Sequence, residues 1–187
     1  MALVFQYGSN CLESQINSKE RLCGDAKFIC KAVAEDFQLT FDVWSENRAC
    51  AAANIVFKPG SKVWGALYEI PDYLIRRNTA KEKGRKSMDA IEGEGTNYRR
   101  EMIAVRRSSD EVVTALTYRV IDPKPDLGTG LEYVGHIVNG LRERGVTEEY
   151  IAEVKRIAAA NNPAIALQLE SLRAGAELTQ EQAHEPG

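Results

Sequence analysis

Leu3-Val4-Phe5-Gln6-Tyr7-Gly8-Ser9-Asn10 is a short apolar run that stops in a small polar turn. Grouped aliphatic and aromatic residues read as a β-strand, and Gly8 punctuates it. Gly8 permits a sharp bend and a close approach of a ligand to the main chain. Ser9 and Asn10 are placed to cap a helix carrying Leu12 and Ile16. A strand that enters a helix through so tight a turn leaves amide hydrogens directed outward, where an anion can meet them. Alone, the octet is a strand–turn–helix corner; its meaning comes from the rest of the chain.

Downstream, β-type clusters recur at Phe37–Val43, Ala51–Phe57, Val63–Ile70, Met102–Val105 and Val112–Val120. In Phe37-Gln38-Leu39-Thr40-Phe41-Asp42-Val43 apolar and polar residues alternate, which puts one face in a core and the other in water. Pro59-Gly60-Ser61 predicts a turn between two strands, hence a hairpin. Several short strands with local connections suggest a sheet closed on itself, because closure removes unpaired edges.

The last third changes period. Val134, Ile137, Val138 and Leu141 share one helical face that ends near Gly145. Thr147, Glu148 and Glu149 begin a second helix whose stripe is Ile151, Val154, Ile157 and Ala158. Asn161-Asn162-Pro163 breaks it, and a further helix carries Ile165, Leu169 and Leu172 with Pro163 in its first turn. The expected domain is single, 1–178, with a barrel over about 1–122, helices over about 128–174 and a disordered tail at 179–187. Arg76–Lys86 is a basic, polar stretch without apolar period and reads as a solvated loop.

Composition narrows the function. A chain of 187 residues supports one well-cored domain. A net charge of −3 gives no electrostatic case for nucleic acid or an anionic membrane as partner. No apolar run reaches transmembrane length, and Met1-Ala2 leads straight into the first strand, so the expectation is cytoplasmic. Cys11, Cys23, Cys30 and Cys50 form no Cys-x-x-Cys pair, and His136 and His184 stand far from them. Free thiols are expected, with no metal site and no Cys–His nucleophile.

Two more segments carry the reading. Val63-Trp64-Gly65-Ala66-Leu67-Tyr68-Glu69 is a strand with a central glycine, the mark of a bend or a close neighbour. Met88-Asp89-Ala90-Ile91-Glu92-Gly93-Glu94-Gly95 is a short helical turn ending in glycines, with Tyr98 heading the next strand. Taken in order with Tyr7-Gly8-Ser9-Asn10, Asp36-Phe37-Gln38-Leu39-Thr40-Phe41, Pro59-Gly60, Tyr133-Val134-Gly135-His136-Ile137 and Gly145-Val146-Thr147-Glu148-Glu149-Tyr150, they resemble the γ-glutamylcyclotransferase family, from Leu3 to about Ala160.

The resemblance implies an α+β fold, a small mixed β-barrel with flanking helices and a C-terminal helical extension. It implies conversion of small γ-glutamyl compounds into 5-oxoproline and a free amine; nothing in the sequence suggests a cofactor. It makes Glu92 the general acid/base, with Glu94 as its rival two residues on. It puts a substrate loop over Val4, Phe5, Gln6, Tyr7, Gly8, Ser9 and Asn10, and pocket tyrosines at Tyr98 and Tyr133. Departures are Gln6, where a small residue is usual, Val4, where an aromatic is frequent, and the inserted Arg76–Lys86. The Tyr-Gly-Ser-Asn turn differs from that of the glutathione-specific branch.

The chemistry suits such residues. The substrate's α-amine attacks its own side-chain carbonyl, so the protein supplies no nucleophile; a near-attack geometry can contribute effective concentrations on the order of 10⁵–10⁸ M. One carboxyl can take a proton from the amine and return it to the leaving group. Backbone amides of the turn can hold the oxyanion. Two other classes stay open: a non-catalytic module that senses a γ-glutamyl metabolite, and an enzyme that strips a protective γ-glutamyl group from a larger amine. A homodimer is also open.

Overall fold

In the computed structural model, which describes residues 1–172, the strands are β1 (Ala2–Gln6), β2 (Lys27–Ser45), β3 (Cys50–Ile70), β4 (Tyr98–Arg107) and β5 (Val112–Val120). They close into a barrel in the order β1–β3–β2–β4–β5. Val4 pairs with Leu116 in parallel, while the other strand-to-strand ladders are antiparallel, so the barrel is mixed. The helices are α1 (Glu13–Ile16), α2 (Arg77–Glu82), α3 (Met88–Glu92), α4 (Leu131–Glu143), α5 (Glu148–Asn161) and α6 (Ala166–Ser171). None of these helices is long and apolar enough to cross a membrane. The tail expected at 179–187, and the end of the domain at 173–178, lie outside the described residues.

The helical periodicity is realised. Val134, Ile137, Val138 and Leu141 are buried on α4, and Ile151, Val154 and Ala158 on α5. Each aliphatic side chain fully buried this way contributes roughly 1.5–3 kcal/mol. Asn162 then turns the chain, its side chain accepting from the Ala164 amide at 3.2 Å. The cysteines are free: Cys11 and Cys50 buried, Cys30 half-buried, Cys23 exposed.

The expected hairpin at Pro59-Gly60-Ser61 does not exist. β3 runs unbroken from Cys50 to Ile70 through that tripeptide, and the turn joining β2 to β3 lies at 46–49 instead. What the sequence signals there is a bulge. The β2–β3 register slips between Glu35 and Phe37, Asp36 adopts φ 60°, and Gly60, at φ 79°, donates its amide to Asp36 Oδ1 at 2.8 Å. A bulge bends and twists both strands of a ribbon together. Beyond it, the far half of β3 crosses over the barrel: Arg119 Nε of β5 donates to the Ile55 carbonyl at 3.0 Å, and Asn54 Oδ1 accepts from the Val120 amide at 3.1 Å. Ala53 is carried with it to the barrel end.

The opposite side of that end is gripped sterically. A Cβ on Gly65 would lie 2.2 Å from the Gln6 carbonyl oxygen, and one on Gly140 would lie 2.4 Å from the Leu12 nitrogen. Only hydrogen fits at either position, so β3 and α4 press on the chain leaving β1 from two sides. Tyr68, fully buried, spans the carbonyls of Asn10 and Cys11 at 3.1 Å each.

Candidate active site

The chain leaving β1, the crossing ribbon and α3 enclose one cavity. It is lined by Gln6, Tyr7, Gly8, Ser9, Asn10, Ala53, Glu92, Tyr98, Tyr118 and Tyr133 and opens to solvent. Most of the residues singled out in the sequence therefore converge. Val4 and Phe5 do not: both are 0% exposed and belong to the core, because β1 is covered on both faces. Ser9 and Asn10 do not cap a helix either. They sit in a single 3₁₀ turn, Ser9–Cys11, with Gly8 at its N-cap and no side-chain cap. Their side chains serve the cavity instead: Asn10 Nδ2 donates to Glu92 Oε1 at 2.8 Å, and Ser9 Oγ accepts from Gln15 Nε2 at 2.6 Å. No acceptor among the described residues takes the amide hydrogens of Gly8 and Ser9.

Glu92 reaches the cavity from the last residue of α3. Ser87 starts this helix by accepting from the Ala90 amide at 3.1 Å, and Gly93 ends it in the left-handed region at φ 66°. Asp89, one turn earlier and 3% exposed, fastens the helix to the barrel: it accepts from Tyr118 OH at 2.9 Å and pairs with Arg100 Nε at 3.2 Å. Burial pushes the Glu92 carboxyl above the usual carboxylate range, against the opposing pull of the Arg21 charge and hydrogen bonds from the Asn10 and Gln6 side chains. Gln6, a departure from the family pattern, thus lines the same cavity and favours the charged form of Glu92.

The tyrosines differ in what their hydroxyls do. Tyr7 donates to the Tyr118 carbonyl, Tyr98 to the Ala53 carbonyl at 2.7 Å, and Tyr118 to Asp89. Tyr133 OH instead accepts from the Ala53 amide at 3.0 Å, which leaves its own proton to give. Burial drives the Tyr7, Tyr98 and Tyr118 phenols far up and that of Tyr133 to about 12. All four stay neutral near pH 7. Glu92 is then the one side chain lining the cavity that can exchange a proton there.

Glu94 is turned elsewhere, toward Arg77 at 3.5 Å and Arg100 at 3.9 Å, and does not line the cavity. Arg76–Lys86 is not a simple loop: it contains α2, pinned by fully buried Ala80, and Arg85 pairs with Asp25 at 2.6 Å. None of it lines the cavity. The sequence reading missed Ala53 and Tyr118 as lining residues and Asp89 as the anchor of α3. It also missed Arg21 and Arg48, which contact lining residues: Arg21 Nη1 donates to Asn10 Oδ1 at 2.8 Å, and the Arg48 guanidinium lies 5.0 Å from the Tyr133 ring centroid. No group of three or more His, Cys, Asp or Glu side chains suited to a metal occurs among the described residues.

Comparison with known proteins follows the same lines. The family described as "Gamma-glutamyl cyclotransferase, AIG2-like" matches residues 4–134. No curated protein matches the chain. Among solved structures, the human protein loc79017 has a TM-score of 0.69 at 24% identity, over 82% of this chain and 86% of its own. A protein titled "Gamma-glutamyl cyclotransferase" has a TM-score of 0.67 at 21% identity, over 96% and 92%. YkqA from Bacillus subtilis has a TM-score of 0.67 at 19% identity, over 86% of this chain and 55% of its own. At these identities the likeness is one of fold.

Proposed function

The chain belongs to the gamma-glutamyl cyclotransferase, AIG2-like family, and from that premise we propose that its cavity cyclises γ-glutamyl compounds to 5-oxoproline with release of an amine. The observation that carries the reading is the Glu92 carboxyl, raised by burial and sharing one cavity with Gly8 and Ser9, whose backbone amides have no acceptor among the described residues, while the cavity's other side chains do not titrate near neutrality.

A γ-glutamyl group folded into the cavity brings its α-ammonium to Glu92. The carboxylate removes one proton, and the neutral amine attacks the γ-carbonyl carbon, forming the C–N bond of a five-membered ring. The carbonyl oxygen becomes an oxyanion, with the Gly8 and Ser9 amides and the Tyr133 hydroxyl available as donors. Losing one donor of this kind typically costs about 10²–10³ in rate. The protonated Glu92 then gives its proton to the departing nitrogen as the original amide bond breaks. The regenerated carboxylate takes the second proton from the ring nitrogen, leaving the neutral lactam, and passes it to the released amine, which departs as an ammonium ion. A raised pKa favours this shuttle, since a carboxyl that must give the proton back works best when its pKa approaches the operating pH. Tyr7, Tyr98 and Tyr118, with their protons committed, shape the wall.

The test is product analysis. Purified protein incubated with γ-glutamyl amino acids and γ-glutamylamines should release 5-oxoproline, detected by chromatography, from at least one of them. Saturable binding of several with no lactam from any would replace the enzyme by a sensing module.

A further inference from the structure

Arg21 and Arg48 flank consecutive residues of the turn. Arg21 holds the Asn10 side chain at 2.8 Å, and Arg48 Nη2 stands 3.5 Å from Ser9 Oγ while its guanidinium covers the Tyr133 ring. Both are half-buried, and each bears on residues that line the cavity without lining it themselves. Neither is ion-paired among the described residues, although most arginines of this chain are. Burial most strongly disfavours the charged form of Arg21; the Glu92 carboxylate supports it, and the like charge of Arg48 opposes it. Two half-buried guanidiniums against neighbouring residues of one turn, neither in ion-pair contact and one of them oriented by an aromatic face, form a site that a further anion would relieve.

We infer that Arg21 and Arg48 form an anion site at the cavity rim that takes a carboxylate on the leaving amine. Preferred substrates are then γ-glutamyl-α-amino acids, ahead of γ-glutamyl amides of neutral or cationic amines. The inference rests on the cyclotransferase reading. The glutamyl α-carboxylate shares a carbon with the attacking amine and so stays beside Glu92, inside the lining. The leaving amine sits on the far side of the γ-carbonyl carbon and projects from the cavity.

γ-Glutamylalanine and γ-glutamylethylamide differ by one carboxylate and give the cleanest test. Two quantities are measured with the full chain: kcat/KM for 5-oxoproline release, and the Kd of each compound for Glu92→Gln by calorimetry. γ-Glutamylalanine should be favoured by about 10- to 100-fold, and raising the salt concentration should narrow the ratio. Arg48→Gln should collapse the ratio toward one, Arg48→Lys should restore part of it, and Arg48→Glu should reverse it. A preference that survives both Arg48→Gln and Arg21→Gln, or losses equal for both compounds, would overturn the anion site and leave the cyclotransferase reading standing. No lactam from either compound, with an arginine-dependent preference still visible in Kd, would overturn the activity and keep the site.

Discussion

The turn Gln6–Asn10 and the ribbon around Ala53 meet at the same cavity, yet they are held there by opposite means. Behind the turn are positions where no side chain fits, at Gly65 and Gly140, and a buried tyrosine bridging two carbonyls. The ribbon arrives from a bulge more than 6 residues away in sequence and is secured by two phenolic hydroxyls on the Ala53 amide and carbonyl. One wall is clamped by shape, which resists any displacement. The other hangs on directional bonds that share their oxygens with the site, so its position and its chemistry are coupled.

The contrast can be broken by substitution. Gly65→Ala should have the largest effect, because the new methyl meets backbone at Gln6 that cannot rotate away. A loss of about 3 kcal/mol is expected in denaturant unfolding; unchanged stability would mean the clamp is not steric. On the hung wall, Tyr133→Phe leaves the buried Ala53 amide without its partner and should cost about 1–2 kcal/mol, with a loss of kcat beyond any change in KM. Tyr98→Phe removes a donor from the Ala53 carbonyl and should cost about 1 kcal/mol, with a smaller loss of kcat. Equal kinetic losses for the two would show that the spare Tyr133 proton has no separate use.

The smallest effect sharpens the electrostatics. The Gln6 side chain bonds the charged form of Glu92 and pulls its pKa down. Gln6→Leu should therefore raise that pKa further and move the acid limb of kcat/KM to higher pH. A shift in the other direction would show that desolvation is not what governs Glu92.

These two walls also differ in how legible they were. The turn is local: an apolar run, a glycine and two small polar residues announce it, and the strand glycine at 65 announces its close neighbour. Glu92 is legible through the order of several segments rather than through any one of them. The ribbon is not local. Ala53 stands in Ala51-Ala52-Ala53-Asn54, where nothing marks one alanine, and it enters the site because Asp36 and Gly60 bend strands that a tripeptide rule would have ended. Pro59-Gly60 carries the same signal for a turn and for a bulge, and only the partner strand decides which forms. Val4 and Phe5 enter the substrate loop by resemblance alone, and the resemblance carries no information on the burial that β1 meets on both faces. Arg21 and Arg48 gave no sign, since a single basic residue in a polar segment is what a solvated surface also contains.

The central claim is that one buried carboxylate carries the proton between the attacking and the leaving nitrogen. Glu92→Gln keeps the shape and removes the ionisable group. Burial disfavours the carboxylate, so stability is withdrawn from the wild type as pH rises from below the ordinary carboxylate range through the raised folded-state value; the amide variant escapes this loss and should melt no lower than the wild type at neutral pH. Measured on that folded variant with the best wild-type substrate, 5-oxoproline release should fall by at least about 10²-fold, with substrate binding retained. Turnover within a few-fold of the wild type would contradict the account.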